Sequence, residues 1–185
     1  MDVDEAVRAK RAIRHFAPRP VPDEVLLRIL RAGRRAQSSK NTQPWQFIVV
    51  RDPERLRALS RLGQYADHLA GAAVGVVIIT PDPTQRWSIL FDAGQAAAYM
   101  QLAAWQRGVG SCLATIYEPD EARSLLHFPP DWEAHVALSF GFPAEPAEMS
   151  RPLRPGGRKP PDELFHYEEW GRRAWPHLPL ALPSA

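Results

Sequence analysis

Two arginines set the first chemical possibility. Arg11 and Arg14 stand three residues apart in Lys10-Arg11-Ala12-Ile13-Arg14-His15-Phe16, after a segment that opens with the acids Asp4 and Glu5. Read as the last turn of a helix, this spacing puts both guanidinium groups on one side, where they can grip a single phosphate. Taken alone, the same cations would serve equally as caps on the helix dipole. A second group lies in Ala36-Gln37-Ser38-Ser39-Lys40-Asn41-Thr42-Gln43-Pro44. Ser38, Ser39, Asn41 and Gln43 offer neutral donors and acceptors, suited to a polar heterocycle or a sugar-like chain rather than a metal. Taken alone, that composition also fits an ordinary solvated loop.

Other chemistries find no support. No Ser/His/Asp, Cys/His or paired-carboxylate arrangement presents itself. The one cysteine, Cys112, precludes a disulfide within the chain and makes a zinc cluster implausible; it reads as a small core residue. His135 alternates with core positions and reads as structural. Gly108-Val109-Gly110 follows a helical segment instead of preceding one, against a dinucleotide fingerprint. With 23 Lys and Arg against 21 Asp and Glu, no electrostatic footprint for nucleic acid or an anionic membrane emerges. The longest apolar run, residues 70–80, is too short to span a bilayer, and the start of the chain lacks the apolar core of a signal peptide. A cytoplasmic protein is expected.

These groups need elements to position them. Residues 4–10 predict a first helix. Residues 22–33 predict an amphipathic one, with Asp23 and Glu24 in its first turn and Val25, Leu26, Ile29 and Leu30 on its apolar face. Trp45-Gln46-Phe47-Ile48-Val49-Val50 reads as a buried strand, and Gln43-Pro44 as the loop entering it. Residues 51–62 continue as a helix with Leu56, Leu59 and Leu62 on one face. Residues 73–80 are apolar throughout and read as a strand covered on both faces. Residues 87–107 form one long alanine-rich helix, apolar around most of its circumference, pointing to the core of a dimer. Strands are expected at 108–116 and 134–141, with a short helix at 120–126 between them. From Pro143 onward prolines cluster, and the chain becomes an extended arm. Its Leu164, Phe165, Tyr167 and Trp170, beside a short helix opened by Pro161, must pack on something.

The order of three motifs adds a resemblance. Lys10-Arg11-Ala12-Ile13-Arg14-x-Phe16 comes first. Ser38-Ser39-x-Asn41-x-Gln43-Pro44-Trp45 follows, and then Gly156-Gly157-Arg158-Lys159-Pro160-x-Asp162-Glu163-Leu164 after Gly141-Phe142-Pro143. With Gly108-Val109-Gly110-Ser111 behind the alanine-rich helix, the chain resembles the nitroreductase family of FMN-dependent oxidoreductases from about Val3 to Gly171. The resemblance implies an α+β three-layer sandwich whose central, mainly antiparallel sheet is flanked by helices, in an intertwined homodimer with FMN at the subunit interface. It implies one domain over residues 1–171 and a proline-rich tail over 172–185.

Carried over by residue, Lys10, Arg11, Ala12 and Arg14 would hold the phosphate and ribityl chain, and Arg158, with Lys159, would close on the phosphate. Ser38, Ser39 and Asn41 would reach the ring from the partner subunit. Thr115 and Ile116 would lie near its reactive nitrogen, where the family offers a backbone N–H. Gln64 and Tyr65 would line the substrate site. NADH or NADPH would reduce the flavin in a ping-pong cycle, and a nitroaromatic, quinone or similar small acceptor would reoxidise it. No catalytic side chain and no metal are then required.

Two residues depart from the family's pattern, Ala12 for a serine and Gln37 for a proline. Between Leu62 and Ala73 the chain is also short where larger members insert helices. Three other readings of the same pattern stand beside this one: a flavin-destroying or dehalogenating relative, a flavin-binding protein without nicotinamide turnover, and a dimer without cofactor.

Overall fold

The computed structural model describes residues 2–151 and 158–172. It divides into two units, Met1–Ser150 and Arg151–Ala185. Gly156 and Gly157 of the third motif, and the tail beyond Arg172, lie outside the described residues.

The first unit is built on four strands, β1 (Gln46–Val50), β2 (Val74–Pro81), β3 (Gly110–Thr115) and β4 (Trp132–Gly141), in the order β1-β2-β4-β3 with every pair antiparallel. β2 is buried from Val74 to Thr80, as its unbroken apolar run requires. Because side chains alternate across a strand, its two faces feed two cores. Val74, Val76 and Ile78 join Leu26 and Ile29 of α2 (Asp23–Arg34) and Ala93, Ala96, Ala97 and Met100 of α4 (Ser88–Trp105). Val77 and Ile79 join Leu56 and Leu59 of α3 (Pro53–Ser60) and Ala122 of α5 (Pro119–Leu126) on the other side. The result is the three-layer α+β sandwich expected. α2 and α4 approach closely because Gly33 has no side chain: a Cβ there would lie 2.3 Å from Met100 Cε.

Two sequence expectations change. β1 is a half-exposed edge strand rather than a buried one: Gln46 and Val49 are open and only Val50 is buried. An apolar run fixes strand character but does not tell an edge from a centre. The first helix, α1 (Val3–Ala9), also stops short of the arginines, because Lys10 turns extended with ψ 131°. From there the chain runs as a strap along β3. Ile13, fully buried, donates its N–H to Ser111 O at 3.0 Å, and Ala17 N–H reaches Phe142 O at 2.8 Å. Two glycines admit this strap: a Cβ on Gly110 would strike Ile13 at 2.6 Å, and one on Gly141 would strike the Phe16 ring at 2.7 Å. Tertiary burial of Ile13 and Phe16 thus overrides the weak helical tendency of the cationic segment.

The second unit contains the short helix α6 (Pro161–Leu164). After it the His166 ring stacks on Trp170 at 4.2 Å, and Arg172 pairs with Glu168 at 3.1 Å. Leu164, Phe165 and Trp170 remain exposed.

A glycine next to the edge of β3 offers a check on this packing. A Cβ on Gly63 would fall 2.1 Å from the Thr115 carbonyl oxygen, a backbone atom that cannot swing aside. Gly63→Ala is expected to destabilise the fold by about 2 kcal/mol, read as a lowered midpoint in thermal unfolding.

Candidate active site

The strap reorganises the cations. In extended chain, residues two apart share a side and residues three apart do not. Arg11 and Arg14 therefore do not form the one-sided pair that a helical turn would make. Arg11 lies over the Trp105 ring at 5.9 Å, with its Nε donating to Ala9 O at 3.1 Å. Lys10 and Arg14 instead act on a common neighbour: both favour the thiolate of Cys112, although burial dominates and pushes that thiol up. Cys112 is a buried core residue, as its sequence context indicates. Ala12 is exposed, on the same side as Lys10 and Arg14. Arg14 is exposed too, and among the described residues it has no hydrogen bond or ion pair.

Beside Arg14 a cavity of about 440 Å³ opens, lined also by His15, Phe16, Tyr65, Asp67, His68 and Gly71. Tyr65 is highly exposed at its mouth; Gln64 is exposed and not part of the lining. His68 went unnoticed in the sequence. It is 6% exposed, with Nδ1 2.8 Å from Ser139 Oγ, whose hydroxyl lies 3.3 Å from Cys112 O. Burial, aided by the positive charge of Arg14, lowers its pKa from 6.5 against the opposing pull of the Leu113 backbone and Asp67. A lone histidine in a polar linker carries no sequence signal of burial. Only its partner Ser139, within the apolar run of β4, hinted at a buried polar contact.

The edge of β3 contributes backbone groups. Ile116 N–H is taken by His135 O at 2.8 Å, so the Thr115 N–H faces the opposite direction, away from β4. Thr115 and Leu113 are exposed on the outer face, whereas Ile116 is buried. The two expected ring neighbours thus differ: Thr115 has a backbone donor to offer at the edge, and Ile116 does not. His135 is half-buried and pairs with Glu133 at 2.7 Å, a partner that lies on its own strand.

The polar loop, residues 38–43, is tightly wound. Ser38 Oγ accepts from Gln43 N–H at 2.9 Å, and Thr42 Oγ1 donates to Ser39 O at 3.0 Å. Lys40, Asn41 and Gln43 are all left-handed, with φ of 54°, 55° and 48°. For residues with a Cβ each such conformation costs about 1 kcal/mol, somewhat less for asparagine. Asn41 is exposed while Ser38 and Ser39 are half-buried, and no residue of this loop lines the Arg14 cavity. Arg158 is exposed in the second unit.

The family model for nitroreductases matches residues 7–66 and 60–142. The chain belongs to the nitroreductase family. A provisionally named NADH dehydrogenase/NAD(P)H nitroreductase of Archaeoglobus fulgidus is 30% identical, across 89% of this chain and 96% of that protein. An NADH dehydrogenase of Thermus thermophilus is 29% identical across 83% and 92%. Among solved structures, an FMN-dependent nitroreductase from Clostridium difficile R20291 superposes with a TM-score of 0.80 at 27% identity, across 91% of this chain and all of that one. This nitroreductase-family protein is accordingly an oxidoreductase by relationship, and its sheet-and-helix layers are those of its structural neighbours. Among its described residues no helix is long and apolar enough to cross a membrane.

His68 gives the site a pH signature. With the folded-state pKa below 6.5, both folded and unfolded chains are neutral above that value and the contribution to stability is complete. As pH falls from about 7 toward 5 the unfolded chain takes up the proton more readily, so stability is lost. The parent protein is expected to lose thermal stability over this range more steeply than a His68→Gln variant, measured by melts at matched ionic strength.

Proposed function

We propose that this protein is an FMN-dependent reductase that uses NADH or NADPH to reduce nitroaromatic, quinone or similar small acceptors. The observation that carries the reading is Arg14, an exposed guanidinium with no ion pair among the described residues, at a cavity it shares with His15, Phe16, Tyr65 and His68. The residues fit an FMN by class: Lys10 and Arg14 on one side of the strap supply charge for a phosphate, and the uncovered outer face of β3 at Leu113 and Thr115 offers a bed for a flat ring. Arg11 is directed to Trp105, which favours Lys10 and Arg14 as the phosphate ligands. Arg158 and Lys159 would close on the phosphate from the C-terminal side.

When bound, FMN supplies the relay of a hydride from the nicotinamide to the acceptor, the two taking turns at one site. The Thr115 N–H, turned away from β4, would orient the ring and hold a hydrogen bond at its edge. Neutral donors of Ser38, Ser39 and Asn41 would favour charge developing on the pyrimidine side. Tyr65 would flank the acceptor, with Gln64 beyond it.

That residues 38–43 do not line the Arg14 cavity of their own chain favours a site completed by a second copy. So does α4, which leaves Leu90, Phe91 and Tyr99 uncovered, with Trp87 just before it. We infer a homodimer with the cofactor at its interface.

The decisive measurement is the visible spectrum of purified protein with added FMN, before and after anaerobic NADPH or NADH. A bound flavin band that bleaches with either donor and returns with a quinone is expected. Failure to bind FMN overturns the reading, and a band that persists leaves a flavoprotein without this donor. Arg14→Gln is expected to raise the Kd for FMN about tenfold or more, the loss of one charge-assisted contact to a phosphate.

A further inference from the structure

The polar loop, residues 38–43, is held by an acid that no motif singled out. Asp92 lies near the start of α4 and is 3% exposed, and both of its carboxylate oxygens accept from the Ser39 N–H at 3.1 Å. A buried carboxylate persists only where donors meet it. Among the described residues Ser39 N–H is the one hydrogen-bond donor to Asp92, and Asp92 forms no ion pair. Among the described residues the Ser39–Asp92 contact is also the only hydrogen bond that ties the loop's main chain to another element; Arg86 reaches a side chain instead, Thr42 Oγ1, at 2.8 Å. The tie falls immediately before Lys40 and Asn41, the first two of three left-handed residues.

An unanchored loop would relax from such a conformation, since its backbone strain must be overcome by the surroundings. We propose that Asp92 is a positioning residue, its carboxylate fixing the Ser39 backbone so that Ser38, Ser39 and Asn41 are held in the geometry that receives the flavin. The proposal rests on the flavin reading above for the purpose of the loop. The anchoring itself rests on the geometry of α4 and the loop.

Two measurements on the full-length chain separate these parts: hydrogen exchange of residues 38–43 without added FMN, and FMN binding followed by flavin fluorescence. D92A removes the acceptor; it is expected to speed exchange of the loop amides about tenfold while β2 and β4 are unchanged, and to raise the Kd for FMN about tenfold. D92N keeps one oxygen that can accept, and both effects are expected to shrink to about threefold. Lys40→Gly in the D92A background removes the Cβ from a position at φ 54° and is expected to restore part of the affinity. Unchanged loop exchange in D92A overturns the proposal, as does faster exchange spread across the whole sheet. If D92A does not fold, D92N decides: acceleration confined to the loop supports the anchoring and an unaltered loop overturns it. If the parent protein itself binds no FMN, the flavin reading falls, and the exchange result still decides whether Asp92 holds the loop.

Discussion

The burial of β2 on both faces is the constraint from which the architecture follows. A strand with no solvent-facing side demands a cover above and below. Its alternation therefore sends Val74, Val76 and Ile78 to α2 and α4, and Val77 and Ile79 to α3 and α5. With β2 and β4 in the middle, β1 and β3 become the edges. An open edge presents unpaired N–H and C=O groups, and this chain treats its two edges differently. The strap from Lys10 to Ala17 lies along the first part of β3 and covers Ser111. Beyond it, at Leu113 and Thr115, the outer face is left uncovered. The bed proposed for the flat ring is this uncovered stretch.

Much of this was legible in the sequence. The helices and strands stand close to where periodicity and turn signals put them, and the continuous apolar run of β2 correctly implied cover on both sides. Family membership and the sandwich fold were legible from motif order. What escaped are consequences of long-range packing. Nothing local distinguishes an arginine pair on a helical turn from one on an extended strap. The decision is made by Ile13, whose burial against Gly110 turns the chain straight and regroups Lys10 with Arg14. Likewise Thr115 and Ile116 look equivalent in sequence, and only the ladder with β4 gives one a turned-out N–H and consumes the other's.

His68 and Asp92 were missed for a related reason. Each is a single polar residue whose partner is remote in sequence, Ser139 for the one and the Ser39 backbone for the other. Hydrogen bonds that satisfy buried polar atoms leave no periodic trace. In both cases a buried polar group links an otherwise apolar layer to a segment that carries side chains of the proposed site.

The length of α4 sets a distance. Near its start Asp92 grips the polar loop, and at its end Trp105 lies beneath Arg11 of the cationic strap. At the rise of an α-helix these two points are roughly 20 Å apart. The helix therefore acts as a rigid spacer between two groups of side chains that belong to different sites in the proposed dimer. A displacement of the helix along its axis would shift the loop of one site and the strap of the other together. Two such centres built on paired spacers would be mechanically geared, and neither could be adjusted without moving its neighbour.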